Sequence, residues 1–156
     1  YQQTDSERIS LLEKGDLLRL SGDIQNHEAI RKSLCRWVKK QGQQHLTYCL
    51  ADVAESMGLT YKSLAIRLQK KRWGSCSASK RINLNAALLF LPPTLVEHVL
   101  VHELTHLNHL NHSASFWAGV EQHDKDYKAN RRLLRKHGSD VPSWLTEPFD
   151  NADLNV

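Results

Sequence analysis

The pattern of hydrophobic and polar positions changes several times along the chain, and each change predicts a new element. Two short apolar runs, at residues 9–12 and 17–20, are separated by a turn-like Lys-Gly-Asp sequence, which predicts a small hairpin or an incomplete element. Apolar residues then recur every three to four positions over about residues 27–44, which predicts an amphipathic helix. A second helix is predicted over residues 46–57, because Gly58 follows at a position that favours the left-handed conformation.

The period shifts toward two between Leu59 and Asn85. Apolar and polar residues alternate over residues 64–69 and again over 82–85, which predicts two or three strands. The segment that joins them, residues 73–79, is rich in glycine and serine and is predicted to hold a turn or a bulge.

Two helices are predicted after the proline pair at residues 92–93. Residues 94–97 have the form of a capping box, and the apolar positions that follow predict a substantially buried helix over about residues 95–110. Ser113 is a predicted N-cap for a second long helix, which runs to about Lys136 and is closed by Gly138. The predicted fold class is α+β, with a small sheet and helices packed around the buried helix over about residues 95–110, which carries the candidate chemistry described below.

Composition favours one domain over residues 1–156 and a water-soluble protein. The chain has 156 residues, 40% of them hydrophobic, and no run approaches the roughly 20 apolar residues that span a bilayer. It begins at Tyr1 rather than Met, which we interpret as a fragment or a processed form. Cys35, Cys49 and Cys76 are odd in number and far apart, which argues against a disulfide framework and favours a reducing, cytoplasmic setting.

The sequence His102-Glu-Leu-Thr-His106 carries the clearest chemical signal. Two histidines four residues apart on a helix lie about 40° apart around the axis and roughly 6 Å along it, close enough to bind one ion. Neutral imidazoles hold zinc, the ion lowers the pKa of a bound water to about 7, and the adjacent Glu103 takes the proton from that zinc-activated water. The pattern therefore predicts a zinc-dependent hydrolase.

A catalytic zinc usually has three protein ligands, and two histidines compete to be the third. His109 lies on the same helical face as His102 but about 10 Å further along a straight axis, too far to share one ion comfortably. His112 can reach the ion if the helix ends near Asn111 and the chain folds back. On geometry, His112 is the preferred ligand.

Three ordered motifs in the second half of the chain resemble those of a known family. Arg72-Trp-Gly-Ser-Cys76 and Arg81-Ile-Asn-Leu-Asn85 precede HELTHLNHLNHSASFW, which ends at Trp117. Together they resemble the YgjP-like metallopeptidase family, related to the SprT-like and Wss1-like metallopeptidases, over about residues 59–144, while residues 1–45 match only loosely. The resemblance implies a zincin-like domain that cleaves peptides or proteins, with Zn²⁺ ligands at His102, His106 and His112 and a catalytic Glu103.

Several residues near these motifs are candidates for supporting roles. Residues 81–85 are interpreted as an edge strand that receives an extended peptide, and His98 is interpreted as a partly exposed histidine. The candidates to orient the zinc ligands are Asn85, Asn108, Asn111 and Ser113. The candidates to donate to the oxyanion are Arg72 and Tyr127. The aromatic residues Trp73, Phe116 and Trp117 are interpreted as core rather than as the lining of a cleft.

The excess of basic residues makes nucleic-acid binding an alternative function. The formal net charge is +4, and basic residues form two clusters: the first comprises Lys70, Lys71, Arg72, Lys80 and Arg81, and the second comprises Lys125, Lys128, Arg131, Arg132, Arg135 and Lys136. A solvated helix face is the simpler interpretation of the second cluster. The alternatives to a peptidase are a nucleic-acid-binding protein with a structural zinc and a zinc hydrolase that acts on a non-peptide amide or ester.

Overall fold

The computed structural model describes residues 2–3 and 9–146, which form an α+β fold of two small sheets and several helices. In chain order its elements are β1 (Gln2–Gln3), β2 (Ser10–Lys14), β3 (Leu17–Gly22), α1 (His27–Ser56), β4 (Ser63–Arg67), β5 (Gly74–Cys76), β6 (Arg81–Asn85), a 3-10 helix (Ala86–Phe90), α2 (Pro93–Thr105), α3 (Ala114–His123), α4 (Tyr127–Lys136), a second 3-10 helix (His137–Asp140) and α5 (Ser143–Thr146). Among the helices described, none combines the length and the apolar character needed to cross a membrane.

The predicted hairpin is confirmed. Strands β2 and β3 pair antiparallel, with Leu11 opposite Leu20, and β1 pairs parallel to the other side of β3. Gly15 takes the turn at φ +56, a left-handed conformation that glycine adopts without steric cost.

Helix α1 is continuous, so the prediction of two separate helices over this part of the chain is wrong. Its buried stripe passes through Gly42, where an added Cβ would lie 3.2 Å from the Cβ of Ala86 and 3.2 Å from Cγ2 of Ile66. Glycine disfavours a helix interior by about 1 kcal/mol, but here it lets the helix pack closely on the sheet and the first 3-10 helix. The helix ends as predicted, with Gly58 at φ +64 and the Leu59 N–H donating to the Ala54 carbonyl.

The second sheet has the strand order β4-β6-β5, and the three strands agree with the prediction of two or three. Strand β6 pairs parallel with β4 and antiparallel with β5, so the interpretation of residues 81–85 as an edge strand is wrong. Ile82 and Leu84 are buried on one face of β6, as a central strand requires. The edge beside α2 is instead β5, and the predicted turn follows it, with the Lys80 N–H donating to the Ser77 carbonyl.

Helix α2 is buried as predicted but differs from the prediction at both ends. Pro93 occupies its first turn and Pro92 precedes it without a side-chain cap, so the predicted capping box is absent. Its last residue is Thr105 rather than Leu110. The chain then forms a turn, in which the Leu107 N–H donates to the Leu104 carbonyl and the His109 N–H donates to the Thr105 carbonyl.

The long helix predicted after Ser113 is two helices. Ser113 caps α3 as predicted, accepting a hydrogen bond from the Phe116 N–H at 3.3 Å. The break falls at Asp124, whose backbone leaves the helical region at φ −130 and ψ 89 and whose carboxylate accepts from Asn130. Gly138 lies in the second 3-10 helix without a left-handed φ, so it is not the predicted helix stop.

The buried residues form two clusters that hold α2 in place. The larger joins α1, the second sheet, the first 3-10 helix and the inner face of α2. The smaller consists of Val101, Phe116, Val120 and Tyr127 and fixes α3 and α4 against the other side of α2. Burial on both sides explains why α2 provides a rigid base for the side chains at its carboxyl end.

Candidate metal centre

Three histidine side chains meet where α2 ends and the chain turns toward α3. His102 lies in the last turn of α2, His106 is its C-cap, and His112 immediately precedes the N-cap of α3. One ring nitrogen from each lies within 4.8 Å of the others, and the Nε2 atoms of His102 and His112 are 3.1 Å apart. Because the helix ends at Thr105, the chain has enough length to fold back and bring His112 to the other two rings.

The structure distinguishes His109 from His112, the two candidates for the third ligand. His109 contributes its backbone carbonyl, which accepts a hydrogen bond from Nδ1–H of His106 at 2.9 Å. A carbonyl only accepts, so Nδ1 of His106 carries the proton and Nε2 of the neutral ring keeps its lone pair. The His109 ring lies beside Gly119 of α3, outside the group formed by the other three rings.

Aromatic side chains form the floor beneath the three imidazoles. The Phe116 ring is fully buried, and its centroid lies 5.0 Å from that of His102, 4.5 Å from that of His106 and 4.8 Å from that of His112. Trp117 stacks on His112 at 5.7 Å and on Tyr127 at 5.4 Å. The core interpretation is confirmed for Phe116, whereas Trp117 and Trp73 are only partly buried and line the adjacent cavity.

The surroundings favour neutral imidazoles. Burial, and then the neighbouring His106 and His112, lower the pKa of His102 to about 3. Burial also lowers the pKa of His106. A tetrahedral zinc ion with three nitrogen ligands at about 2.0–2.1 Å requires those nitrogens to lie about 3.3 Å apart, close to the 3.1 Å between the Nε2 atoms of His102 and His112. The three imidazoles therefore fit a divalent metal such as zinc.

Glu103 is buried between α2 and β5, with 6% of its surface exposed. Burial raises the pKa of its carboxyl to about 7, and the positive charge of Arg72 partly opposes this rise. Gly74 of β5 lies directly against this side chain. A carboxyl with a pKa near neutrality can both accept and release a proton under physiological conditions.

A cavity of about 300 Å³ opens beside His102 and Glu103. Arg72, Trp73 and Gly74 lie on one wall, while Arg131 and Arg135 of α4 lie on another. Arg72, a predicted oxyanion donor, thus lines the cavity. Tyr127, the other predicted donor, is buried beneath Trp117 and does not belong to the described lining.

The predicted supporting residues have other roles. Asn85 donates from Nδ2 to the carbonyls of Gln69 and Arg72 and accepts from the Ala87 N–H, so it holds the loop before β5. Ser113 caps α3, and Asn108 and Asn111 are exposed. The side chain of His106 is oriented instead by the backbone carbonyl of His109, which no residue type in the sequence can signal.

His98 is buried, so its interpretation as a partly exposed residue is wrong. Its Nδ1 lies 2.6 Å from Oδ2 of Asp124, which also accepts from Asn130 through Oδ1 at 3.0 Å. The His98 side chain lines the cavity one helical turn before His102. Arg131, which the sequence placed on a solvated helix face, also lines this cavity, and its guanidinium lies 4.7 Å from the centroid of the Trp117 ring.

Comparison with known proteins gives a family match for this chain. A family model described as YgjP-like, metallopeptidase domain, matches residues 2–137, so the match begins well before Leu59, where the motif resemblance starts. Among solved structures, the crystal structure of the metallopeptidase zymogen of Pyrococcus abyssi abylysin is 28% identical, with a TM-score of 0.46. The aligned region covers 56% of this chain and 90% of that chain. The search of curated proteins found no match.

Proposed function

Because the chain belongs to the YgjP-like metallopeptidase family, we propose that it is a zinc metallopeptidase that hydrolyses peptide bonds with Glu103 as general base. The observation that best supports this is the meeting of three imidazole nitrogens within 4.8 Å, next to a buried carboxyl. Three ring nitrogens that converge on one point can act together as ligands of a single cation, so the arrangement favours a resident ion.

In this proposal His102, His106 and His112 hold the ion. Three protein ligands leave a coordination position open, as in catalytic rather than structural zinc sites. A bound zinc ion supplies Lewis acidity, which lowers the pKa of water to about 7 and polarises the substrate carbonyl. The Phe116 floor keeps the three rings in place, and the His109 carbonyl fixes the tautomer of His106.

Glu103 moves the protons. Its carboxylate takes a proton from the water that attacks the substrate carbonyl and then donates that proton to the leaving amine. In the metal-free protein burial raises the pKa of Glu103 to about 7, and a cation held by the neighbouring histidines would lower it, which favours the carboxylate that accepts the first proton. Arg72 lines the same cavity and is the proposed donor to the developing oxyanion.

The substrate is proposed to lie along β5. This strand pairs with β6 through Gly74, Ser75 and Cys76, and its position at the end of the sheet leaves its second edge available. An extended peptide that pairs with that edge is fixed by its main chain, and Gly74 at the start of β5 directly contacts Glu103. This geometry favours a peptide over a small ester or a non-peptide amide.

The test compares the zinc-loaded wild type, Glu103→Gln and Glu97→Gln in a peptide-hydrolysis assay, with zinc measured by mass spectrometry. Glu97 is exposed on the same helix, so Glu97→Gln is a matched control that should behave like the wild type. We expect one zinc per chain in all three proteins and turnover lost only in Glu103→Gln. Unchanged turnover in Glu103→Gln would refute its role, and no zinc in the wild type would refute the metal centre.

A further inference from the structure

A second cavity, of about 190 Å³, adjoins the one beside Glu103. The two cavities share the residues Arg72, Trp73, Leu134 and Arg135, so they form one continuous depression. Lys70 and Lys71 line its outer part, and Arg131 lines its inner part. We call the surface formed by Lys70, Lys71, Arg72, Arg131 and Arg135 the basic groove. Its residues come from both basic clusters of the sequence.

In the part of the chain that the structure describes, the positive charge of the basic groove is not neutralised by salt bridges to neighbouring carboxylates. Glu103 is the one carboxylate among the described residues that line either cavity. None of the salt bridges found within residues 9–146 involves a residue of the basic groove. Five positive side chains around one depression repel each other, so a negatively charged ligand would be stabilised there.

The basic groove is held in a defined shape. The loop that carries Lys70, Lys71 and Arg72 is held at both ends by Asn85, which is 3% exposed and donates to the carbonyls of Gln69 and Arg72. On the opposite side, the guanidinium of Arg131 rests on the ring of Trp117. The side chain of Arg131 is thus partly ordered before a ligand binds, which lowers the entropy cost of its contact with an anion.

We propose that the basic groove binds an acidic segment of the peptide substrate, so that the enzyme prefers aspartate or glutamate close to the scissile bond. This proposal rests on the proposed function, because it places the acidic segment next to the peptide bond that Glu103 acts on. The basic groove begins at Arg72, two residues before the strand β5 that is proposed to pair with the substrate main chain. A peptide bound along β5 therefore extends into it.

The geometry favours a peptide over a nucleic acid. Successive bases stack on several free aromatic faces, but the ring of Trp117 is already stacked on Tyr127 and covered by Arg131, which leaves Trp73 as the other tryptophan that lines the depression. Arg132, on the same helix as Arg135, is exposed but lines neither cavity. Of the basic residues of α4, Arg131 and Arg135 line the depression beside Glu103, where the peptide is proposed to bind, whereas the others lie outside it.

The experiment measures both cleavage and binding with matched peptides. Each peptide carries one glutamate that is moved along an otherwise neutral sequence, and its partner carries glutamine at the same position. The zinc-loaded wild type gives kcat/KM for each pair, and zinc-loaded Glu103→Gln, with the same peptides labelled with a fluorophore, gives Kd. We expect glutamate to be preferred by about 5-fold or more in kcat/KM and in Kd at one or two neighbouring positions.

Charge reversal identifies the surface responsible. Arg135→Glu should remove or invert the preference, whereas the matched control Arg132→Glu, with the same charge change on the same helix, should keep it. If the wild type cleaves both members of every pair equally well, the proposal is wrong and the peptidase function stands. If no peptide is cleaved but glutamate peptides still bind more tightly in an Arg135-dependent manner, the basic groove is supported and the peptidase function is wrong.

A nucleic-acid ligand has its own outcome in the same assay. A labelled single-stranded oligonucleotide is titrated into zinc-loaded Glu103→Gln beside the peptides. Binding tighter than that of any acidic peptide, weakened equally by Arg132→Glu and Arg135→Glu, would overturn the proposal in favour of a nucleic-acid surface. Weak oligonucleotide binding, with the peptide preference intact, would support it.

Discussion

Gly74 and Glu103 are in such close contact that no larger residue fits at position 74 without moving the carboxylate. A Cβ atom added to Gly74 would lie 2.8 Å from Cγ, 2.9 Å from Oε1 and 3.0 Å from Cδ of Glu103. These distances are shorter than those that carbon atoms adopt in folded proteins, so the side chain of Glu103 would have to shift. The glycine of β5 thereby determines where the proposed general base stands.

Gly74→Ala should therefore reduce turnover while leaving the zinc in place. A displacement of about 1 Å at a catalytic group costs on the order of 100-fold in rate, so we expect kcat to fall by about that factor. The measurement is kcat for peptide hydrolysis, with zinc content determined in parallel. Gly138→Ala is the matched control, because nothing lies within 4 Å of a Cβ at that position and its φ is not left-handed. Wild-type kcat in Gly74→Ala would show that the contact does not position Glu103.

His112 and His109 should differ sharply in their effect on metal affinity. We expect His112→Ala to weaken zinc binding by about 100-fold or more, because it removes one of the three ring nitrogens that meet. His109→Ala keeps the backbone carbonyl that accepts from His106, so its zinc affinity should stay within about 3-fold of the wild type. Competition with a chelator of known affinity measures both, and equal losses in the two variants would contradict the proposed ligand set.

The metal-free protein should become more stable when Glu103 is replaced by glutamine, and more so at high pH. Burial raises the pKa of Glu103 from 4.5 to about 7, so the folded state holds the proton more tightly than the unfolded state. Stability is therefore lost as the pH rises from 4.5 to 7 and stays reduced above it. Glutamine cannot ionise, so Glu103→Gln should raise the free energy of unfolding by about 3 kcal/mol at pH 8.

Urea unfolding in the presence of a chelator measures this difference. At pH 5 the two proteins should differ by less than about 1 kcal/mol, because little of the unfavourable ionisation has yet occurred. Glu97→Gln, at an exposed position of the same helix, should show no such pH dependence. A Glu103→Gln variant as stable as the wild type at pH 8 would mean that the carboxylate is better solvated than its burial indicates.

The pair formed by His98 and Asp124 should contribute to stability. Asp124→Ala leaves the buried His98 Nδ1 and the Asn130 amide without their carboxylate partner, which should cost about 2–4 kcal/mol. Asp124→Asn keeps an oxygen acceptor and should cost less. Denaturant unfolding of the zinc-loaded proteins compares them, and a loss below about 0.5 kcal/mol in Asp124→Ala would show that the pair is not structurally important.

Local signals in the sequence predicted the hairpin, the strands of the second sheet and the buried helix that carries His102. They failed where packing overrides propensity. The sequence pattern predicted a break near residue 45, but α1 continues through it, and the missing side chain of Gly42 lets this part of the helix pack against Ile66 and Ala86. Asp124 reads as one polar residue within a long helix, but its pairing with His98, distant in sequence, breaks that helix.

The candidate site likewise combines features that local sequence predicts with features that depend on the tertiary structure. Spacing alone predicts that His102 and His106 share a face, and the need for a chain reversal favours His112 as their companion. Strand order cannot be read from alternation, because a central and an edge strand can carry the same pattern, and so residues 81–85 were assigned to the wrong place in the sheet. Arg131 and Arg135 read as a solvated face, because their convergence with Arg72 depends on tertiary structure.

The stack of Trp117 on His112 has a spectroscopic consequence. The indole and the imidazole are nearly parallel, with 22° between their planes, so a change of charge on the imidazole alters the electrostatic environment of the indole. An ion that draws on the lone pair of His112 should change the intensity of indole emission. The chain has four tryptophans, and the difference between the wild type and Trp117→Phe isolates the signal of this one. Occupancy of the proposed metal centre would then be measurable from the protein's own fluorescence, in real time and without an added dye.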